Sequence, residues 1–333
     1  GNYPTGTNNV ALGDTALDSV TTGAGNVTIG NASGTAITDG DQNTFVGKSS
    51  GTANTTGTNN TAIGSEALDA STTATNNSAV GYRALTANTG GGNTAVGYLS
   101  LSANTSGQFN TALGHTALGS GTNTASYLTA VGRNALRYNT SGSSNVAVGY
   151  IALEDNTTGG SNTAIGSSAL ANNTTANNNT AMGNSALSTN TTGADNTSIG
   201  KSALQANTTG GQNVALGKSA LQSNTTASGN TAVGFNTLGN NTTGDRNVAI
   251  GYAALDTNTV GDRSVAIGYS ALTTQNPSSN ADMYNTAVGH NAMAATTTGT
   301  LNTAVGGLAL DANSTGSYNT ALGYLTLSNS TTA

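Results

Sequence analysis

The 333-residue chain contains no cysteine and no tryptophan, only 2 prolines and 3 phenylalanines, and only 7% charged residues. The absence of cysteine excludes disulfides and thiol chemistry. The 8 Lys and Arg residues are scattered among 14 acidic residues, giving a net charge of −6. No basic patch is therefore available to bind nucleic acid. No apolar run approaches the roughly 20 residues that span a membrane as a helix, so we expect no membrane insertion of this segment.

Asn, Thr, Ser, Ala and Gly dominate the composition and follow an internal repeat. The unit reads Asn-Thr/Val-Ala-aliphatic-Gly-x-x-Ala-Leu-x-x-Asn-Thr-Thr-Gly-x-x, and 15 of the 18 intervals between its 19 copies match this 17-residue period. The copies start at Asn9, Asn26, Asn43, Asn60, Asn77, Asn93, Asn110, Leu128, Asn145, Asn162, Asn179, Asn196, Asn213, Asn230, Asn247, Ser264, Asn285, Asn302 and Asn319. The interval from Asn77 is one residue shorter than the regular unit, that from Asn110 one residue longer, and that from Ser264 four residues longer. We interpret residues 1–333 as a single repeat domain.

The repeat predicts an all-β fold, a parallel β-solenoid or β-roll of about 19 coils. The unit is too short for a two-helix repeat, and it suits two strands of about five or six residues joined by two tight turns. Stacked coils would pair each strand with its equivalent about 4.8 Å away, giving a rod roughly 90 Å long. Position 4 is aliphatic or Met in all 19 copies and position 9 is Leu in 16. Both are therefore predicted to form inward-facing apolar columns.

The remaining repeat positions carry further predictions. Asn at positions 1 and 12 is expected to form amide ladders between coils. Gly at position 5 is expected to turn with positive φ or to admit a neighbouring backbone. Ala at positions 3 and 8 would leave a closely packable face, which we predict to be a subunit interface.

The segments Asn247-Val248-Ala249-Ile250-Gly251 and Ser264-Val265-Ala266-Ile267-Gly268 resemble the head repeat of trimeric autotransporter adhesins, and similar repeats occur in phage tail fibres. The resemblance covers nearly the whole chain through five or six residues per unit, with a longer period here. It implies a left-handed parallel β-roll, a homotrimer and binding to host matrix or other surfaces.

Position 6 is the candidate adhesive stripe, because Tyr and Arg are favoured at binding surfaces. Partial burial of a turn residue explains the same pattern at least as well. Both histidines occupy this position, which favours a variable surface role over catalysis or metal binding. The stripe comprises Tyr82, Tyr98, His115, Arg133, Tyr150, Lys201, Lys218, Tyr252, Tyr269, His290 and Tyr324.

Asn at position 12 often lies in an Asn-x-Ser/Thr sequon, which predicts a row of N-glycans in a suitable secreted protein. Asn is also simply a good turn residue. The sequons are Asn54, Asn104, Asn139, Asn156, Asn173, Asn190, Asn207, Asn224, Asn241 and Asn313. Nothing supports a paired-carboxylate site, because the acidic residues do not recur in one column, as in Asp41, Glu66, Asp69, Glu154, Asp155, Asp245 and Asp262.

These observations lead to a non-catalytic extracellular fibre segment, without cofactor or metal, at a cell or virion surface. Its partners are expected to be copies of itself, as a homotrimer or end-to-end filament, and a surface ligand, glycan or matrix of unknown identity. Three alternatives stay open: a phage tail-fibre shaft, a self-polymerising environmental filament, and an ice-binding solenoid suggested by the Thr columns.

Overall fold

The computed structural model describes residues 6–332, which contain strands and turns but no helix. The chain divides into two compact units, Gly1–Asn162 and Thr163–Ala333. Each unit is a parallel β-solenoid whose strands pair with the equivalent strands of the next coil. The predicted fold class is confirmed, whereas the continuity of a single repeat domain stays a prediction.

In the first unit nine three-residue strands follow one another, one in each copy of the repeat. They are β1 (Val10–Leu12), β2 (Val27–Ile29), β3 (Thr44–Val46), β4 (Thr61–Ile63), β5 (Ser78–Val80), β6 (Thr94–Val96), β7 (Thr111–Leu113), β8 (Thr129–Val131) and β9 (Val146–Val148). Pairing is strictly in register, as in Thr44↔Thr61 and Val46↔Ile63, so identical repeat positions lie above one another.

The second unit repeats this arrangement with ten such strands and adds one short pair. Its strands are β10 (Thr163–Ile165), β11 (Thr180–Met182), β12 (Thr197–Ile199), β13 (Val214–Leu216), β14 (Thr231–Val233), β15 (Val248–Ile250), β16 (Gly261–Asp262), β17 (Val265–Ile267), β18 (Ala281–Asp282), β19 (Thr286–Val288), β20 (Thr303–Val305) and β21 (Thr320–Leu322). The pair β16–β18 forms beside the coil from Ser264, which is four residues longer than the regular unit.

Each regular coil has one strand of three residues, so the prediction of two longer strands was wrong. The reason is the backbone beyond the strand, where left-handed residues recur and interrupt any extended run. In the coil from Asn179 these residues are Ser185 (φ 55°), Leu187 (φ 52°) and Asp195 (φ 61°), at positions 7, 9 and 17. The rest of the coil is turns, whose N–H groups still bond to neighbouring coils, as Leu187 does to the Ala203 carbonyl at 2.9 Å.

Glycine at position 5 serves both of its predicted purposes. Gly183 has φ 135°, and a Cβ added there would lie 2.7 Å from the carbonyl carbon and oxygen of Gly200 in the next coil. Any other residue would combine a strained backbone with a clash against main chain. This explains why all 19 copies carry Gly at this position.

The small strand residue at position 3 lies in the core, whereas the larger strand residue at position 4 faces outward. In the coil from Asn179, Ala181, Ala186 and Leu187 are fully buried, at positions 3, 8 and 9. Met182 at position 4 is 39% exposed, because successive strand residues point to opposite faces. The inward Leu column is confirmed, but the inward position-4 column was wrong. The predicted Ala interface was also wrong, since these alanines are covered by their own chain.

Both predicted amide ladders are confirmed. At position 1, the Asn43 side chain donates to Asn26 Oδ1 at 3.0 Å and to the Gly57 carbonyl at 2.8 Å. At position 12, Asn207 Nδ2 donates to Asn190 Oδ1 at 2.8 Å and to the Gly210 carbonyl at 2.9 Å. These amides are buried and hydrogen-bonded, which is the condition under which a polar interior is stable.

Candidate functional site

The position-6 stripe lies on the surface, where all eleven of its residues are exposed. Each follows the position-5 glycine, and the turn there directs the side chain away from the core. Exposure of Tyr82 is 42% and that of Tyr269 is 51%. These side chains therefore reach the surface, but part of each ring is still covered, which is compatible with partial burial of a turn residue.

Within the first unit the stripe contains a stack of rings. The Tyr82 and Tyr98 centroids are 5.6 Å apart, and those of Tyr98 and His115 are 4.8 Å apart. The interplanar angles of 21° and 25° show that the rings lie nearly parallel. Further along, the Arg133 guanidinium lies 5.8 Å from the Tyr150 ring centre, within range of a cation–π contact.

The second unit has a longer stack, which includes a residue that the sequence analysis missed. Phe235 lies 5.4 Å from Tyr252, which lies 5.1 Å from Tyr269, and the stack ends on His290 at 5.2 Å. Lys218 Nζ lies 5.4 Å from the Phe235 ring centre at the other end. Phe235 occupies position 6 like the others, so position alone would have found it. Because the rings cover each other's faces, the stack offers ring edges and hydroxyl groups to a partner.

A second exposed surface runs beside the stripe, on the outward face of the strands. Position 4 is aliphatic there, with exposures of 43% at Ile63 and 44% at Leu216. Position 2 is Thr, Val or Ser and is half-buried or exposed. This outward strand face therefore carries no charge and is in register from coil to coil.

The seven acidic residues do not share one column, as predicted, but three of them, Asp41, Asp245 and Asp262, do share position 16. Oδ1 of Asp41 accepts the Ala24 N–H, and Oδ1 of Asp245 accepts the Ser228 N–H, both at 2.7 Å. Asp262 does the same for Asp245. These carboxylates bind main-chain groups of the preceding coil, which gives them a structural role.

Elsewhere the carboxylates are dispersed, and residues 6–332 contain no cluster of three or more His, Asp or Glu side chains that could hold a metal ion. Burial raises the pKa of Asp69, and the neighbouring Glu66 raises it further. Burial also raises the pKa of Asp256, against a hydrogen bond from Asn236 that lowers it. His115 Nδ1 lies 3.2 Å from its neighbour Thr116 Oγ1.

The sequon asparagines lie in the interior, so the N-glycan prediction is wrong for the folded chain. All ten have between 0 and 1% of their surface exposed. In nine of the ten the Nδ2 atom that would carry a sugar instead donates a hydrogen bond inside the stack, as in Asn190, which bonds Asn173 Oδ1 at 3.0 Å. The exception is Asn54, whose Nδ2 has no partner. The interior has no room for a glycan at these atoms.

Seven of the ten sequon asparagines are followed by two threonines, and these differ in exposure, as the pair after Asn207 illustrates. Thr208 at position 13 is half-buried, and its hydroxyl donates to the Thr225 carbonyl at 3.0 Å. Thr209 at position 14 is exposed. Only one of the two columns is therefore a surface feature.

Comparison with known proteins does not assign the chain to a family. No family model, curated protein or solved structure matches the chain. None of the described residues forms a helix long and apolar enough to cross a membrane. The likeness to adhesin heads thus rests on the repeat alone.

Proposed function

We propose that this chain is a non-catalytic segment of an extracellular fibre at a cell or virion surface, acting as a structural and adhesive element. The observation that carries the proposal is the exposed stack of aromatic and cationic side chains at position 6, in register from coil to coil. An uncovered row of this length is costly to keep in solution unless it meets a partner. Tyr is also among the residue types most enriched at the energetic centres of contact surfaces.

Self-association is the second part of the proposal, through the outward strand face rather than the alanines. Three residues per strand at about 3.3 Å and 19 strands at about 4.8 Å amount, summed over both units, to on the order of 900 Å². Stable interfaces bury roughly 800 Å² per partner, so the summed area matches one such interface, and division between two partner copies in a trimer leaves about 450 Å² for each. The absence of charge at positions 2 and 4 fits an interface between identical chains.

Solution mass tests the self-association. We expect particles of three times 32.4 kDa. Ile250→Lys with Ile267→Lys should yield monomers, because two charges would be buried in the contact. Thr243→Lys, at an exposed position away from this face, is the matched control. A chain that stays monomeric at high concentration would remove this part of the proposal.

Adhesion is tested by adsorption to sensor surfaces coated with hydroxyl, carboxylate or alkyl groups. Tyr252→Ala with Tyr269→Ala should reduce adsorption several-fold on at least one coating, because it opens the longer ring stack. Tyr318→Ala removes an exposed ring outside the stripe and should change nothing. Equal adsorption by all three proteins would contradict an adhesive stripe.

Ice binding is a second candidate, favoured by the outward strand face rather than by the Thr-Thr turn. Hydroxyl and methyl groups recur there in register, as in Thr286↔Thr303 and Val288↔Val305. Thermal hysteresis and faceted ice crystals at micromolar protein would support it. Replacement of Thr286 and Thr303 by Lys should abolish both effects. If a solution of the unmodified protein freezes with neither effect, this function is excluded.

A further inference from the structure

One coil breaks the repeat and leaves a gap in the surface. The coil from Asn77 is one residue shorter than the regular unit, and its turn reads Asn88-Thr89-Gly90-Gly91-Gly92 where the regular unit has Asn-Thr-Thr-Gly-x-x. It therefore lacks a residue at position 14 and has no side chain at its last two positions. The coils on either side keep theirs.

A notch of about 370 Å³ occupies this gap, entirely within the first unit. Its walls come from the preceding and following coils, and its floor from the glycines. The side chains that matter for binding are those of Thr73, Thr75, Asn76, Thr89, Gln108 and Phe109. None of the lining residues is charged.

Phe109 forms the apolar wall of the notch. Its ring is held from one side by Tyr127, with centroids 5.6 Å apart and an interplanar angle of 15°. On the other side it approaches Gly92, where an added Cβ would lie 2.7 Å from the ring. Glycine there is what lets the ring keep this position, and Phe109 remains 54% exposed.

The polar wall offers neutral donors and acceptors. The Thr73 hydroxyl and the Gln108 side-chain amide make no hydrogen bond to any described residue. Asn76 Nδ2 lies 3.3 Å from Thr75 Oγ1, which leaves the Asn76 carbonyl oxygen free to accept. An apolar ring facing neutral hydrogen-bonding groups is the composition of a small-molecule site rather than of a packed turn.

We propose that this notch binds one residue of a neutral carbohydrate. A pyranose presents a C–H face that packs on the electron-rich face of an aromatic ring, and hydroxyl groups that bond to amides and hydroxyls. The absence of Lys and Arg disfavours phosphorylated or carboxylated ligands, which need cationic partners. The site goes beyond the proposed fibre function, because it lies outside the position-6 stripe and a purely structural fibre has no use for it.

Saturation-transfer NMR with glucose, galactose, mannose and N-acetylglucosamine tests the notch. Irradiation of protein methyl groups should transfer magnetisation to the ring C–H protons of at least one sugar. Phe109→Ala should abolish the transfer. Insertion of Thr between Thr89 and Gly90, which restores the regular period and the missing position-14 side chain while keeping Phe109, should weaken the transfer.

Tyr318→Ala is the matched control, since Tyr318 occupies the same repeat position as Phe109 but lines no such notch, and it should leave the transfer unchanged. Circular dichroism and melting curves show whether each variant folds. Absence of transfer to all four sugars, or transfer that survives Phe109→Ala, would overturn the proposal. Neither result depends on fibre formation or adsorption, so its failure is distinguishable from failure of the proposed function.

Discussion

The coils from Asn26 and Asn43 and the coils from Asn179 and Asn196 share one backbone but fill it differently. In the later coils, Leu187 and Leu204 occupy position 9, and position 3 holds a small residue, Ala or Ser. The earlier coils have Gly34 and Gly51 at position 9, and the large residue is Phe45 at position 3. A Cβ at Gly51 would lie 2.4 Å from the Phe45 ring. Positions 3 and 9 therefore share one interior volume.

The polar interior differs between the same two regions. Asn207 lies in an unbroken column and both receives and donates ladder bonds. Asn54 lies between Ile37 and Ser71 in its column, and neither atom of its amide has a partner. A column of amides is stable only when it is continuous, because each amide satisfies its neighbour.

Removal of the Phe45 ring should have the largest effect. Phe45→Ala would empty the volume that neither Gly34 nor Gly51 can fill. We expect a loss of about 3–5 kcal/mol in the free energy of unfolding, measured by guanidinium denaturation. Phe109→Ala, which removes an exposed ring, is the control and should cost much less. Similar losses in the two variants would show that Phe45 is not the core of these coils.

Exchange of the large residue between the two positions should restore much of that stability. Phe45→Ala combined with Gly51→Leu recreates the composition of the later coils. The backbone permits it, since Gly51 has φ 58° and Leu68 in the next coil has φ 52°. We expect the double variant to recover about 1–3 kcal/mol relative to Phe45→Ala. Gly51→Leu alone should destabilise by overpacking, and strict additivity of the two changes would refute a shared volume.

The same substitution should have opposite signs in the two Asn columns. Asn207→Leu strands the amide of Asn224 and the Asn190 oxygen and should cost on the order of 3 kcal/mol. Asn54→Leu removes two unpaired polar atoms without changing the volume much, and should stabilise by about 1–3 kcal/mol. Amide hydrogen exchange in the flanking strands would locate each effect. Destabilisation by both variants would mean that Asn54 has a partner, such as a buried water.

The sequence was sufficient for the stacking and for the ladders, because a strict period forces equivalent positions together. The prediction of which strand residue faces the core was wrong, because hydrophobicity favours burying the Val or Ile at position 4 over the Ala at position 3. The correcting signal was present: the one aromatic residue at position 3, Phe45, coincides with the two glycines at position 9. The single short strand was harder to foresee, since Leu rarely adopts positive φ, yet Leu at position 9 does so in coil after coil.

The smallest expected effect on stability comes from the aspartates at position 10. Asp69, in the coil from Asn60, has a buried oxygen without a partner, whereas Asp256, in the coil from Asn247, accepts Asn236 Nδ2 at 2.7 Å. Burial raises both pKa values above the ordinary 3.8. The folded state therefore binds these protons more tightly than the unfolded state, and stability falls as the pH rises from about 3.8 through the raised pKa.

Asp69→Asn should remove that decline and stabilise the protein at neutral pH, because it replaces a poorly solvated charge with a neutral amide. Asp256→Asn should stabilise less, since it also weakens the bond from Asn236. Urea denaturation at several pH values between 3 and 7 measures both slopes. If the two variants gave the same gain, the missing partner at Asp69 would have no energetic weight, and the coil from Asn60 would tolerate the charge as well as the coil from Asn247 does.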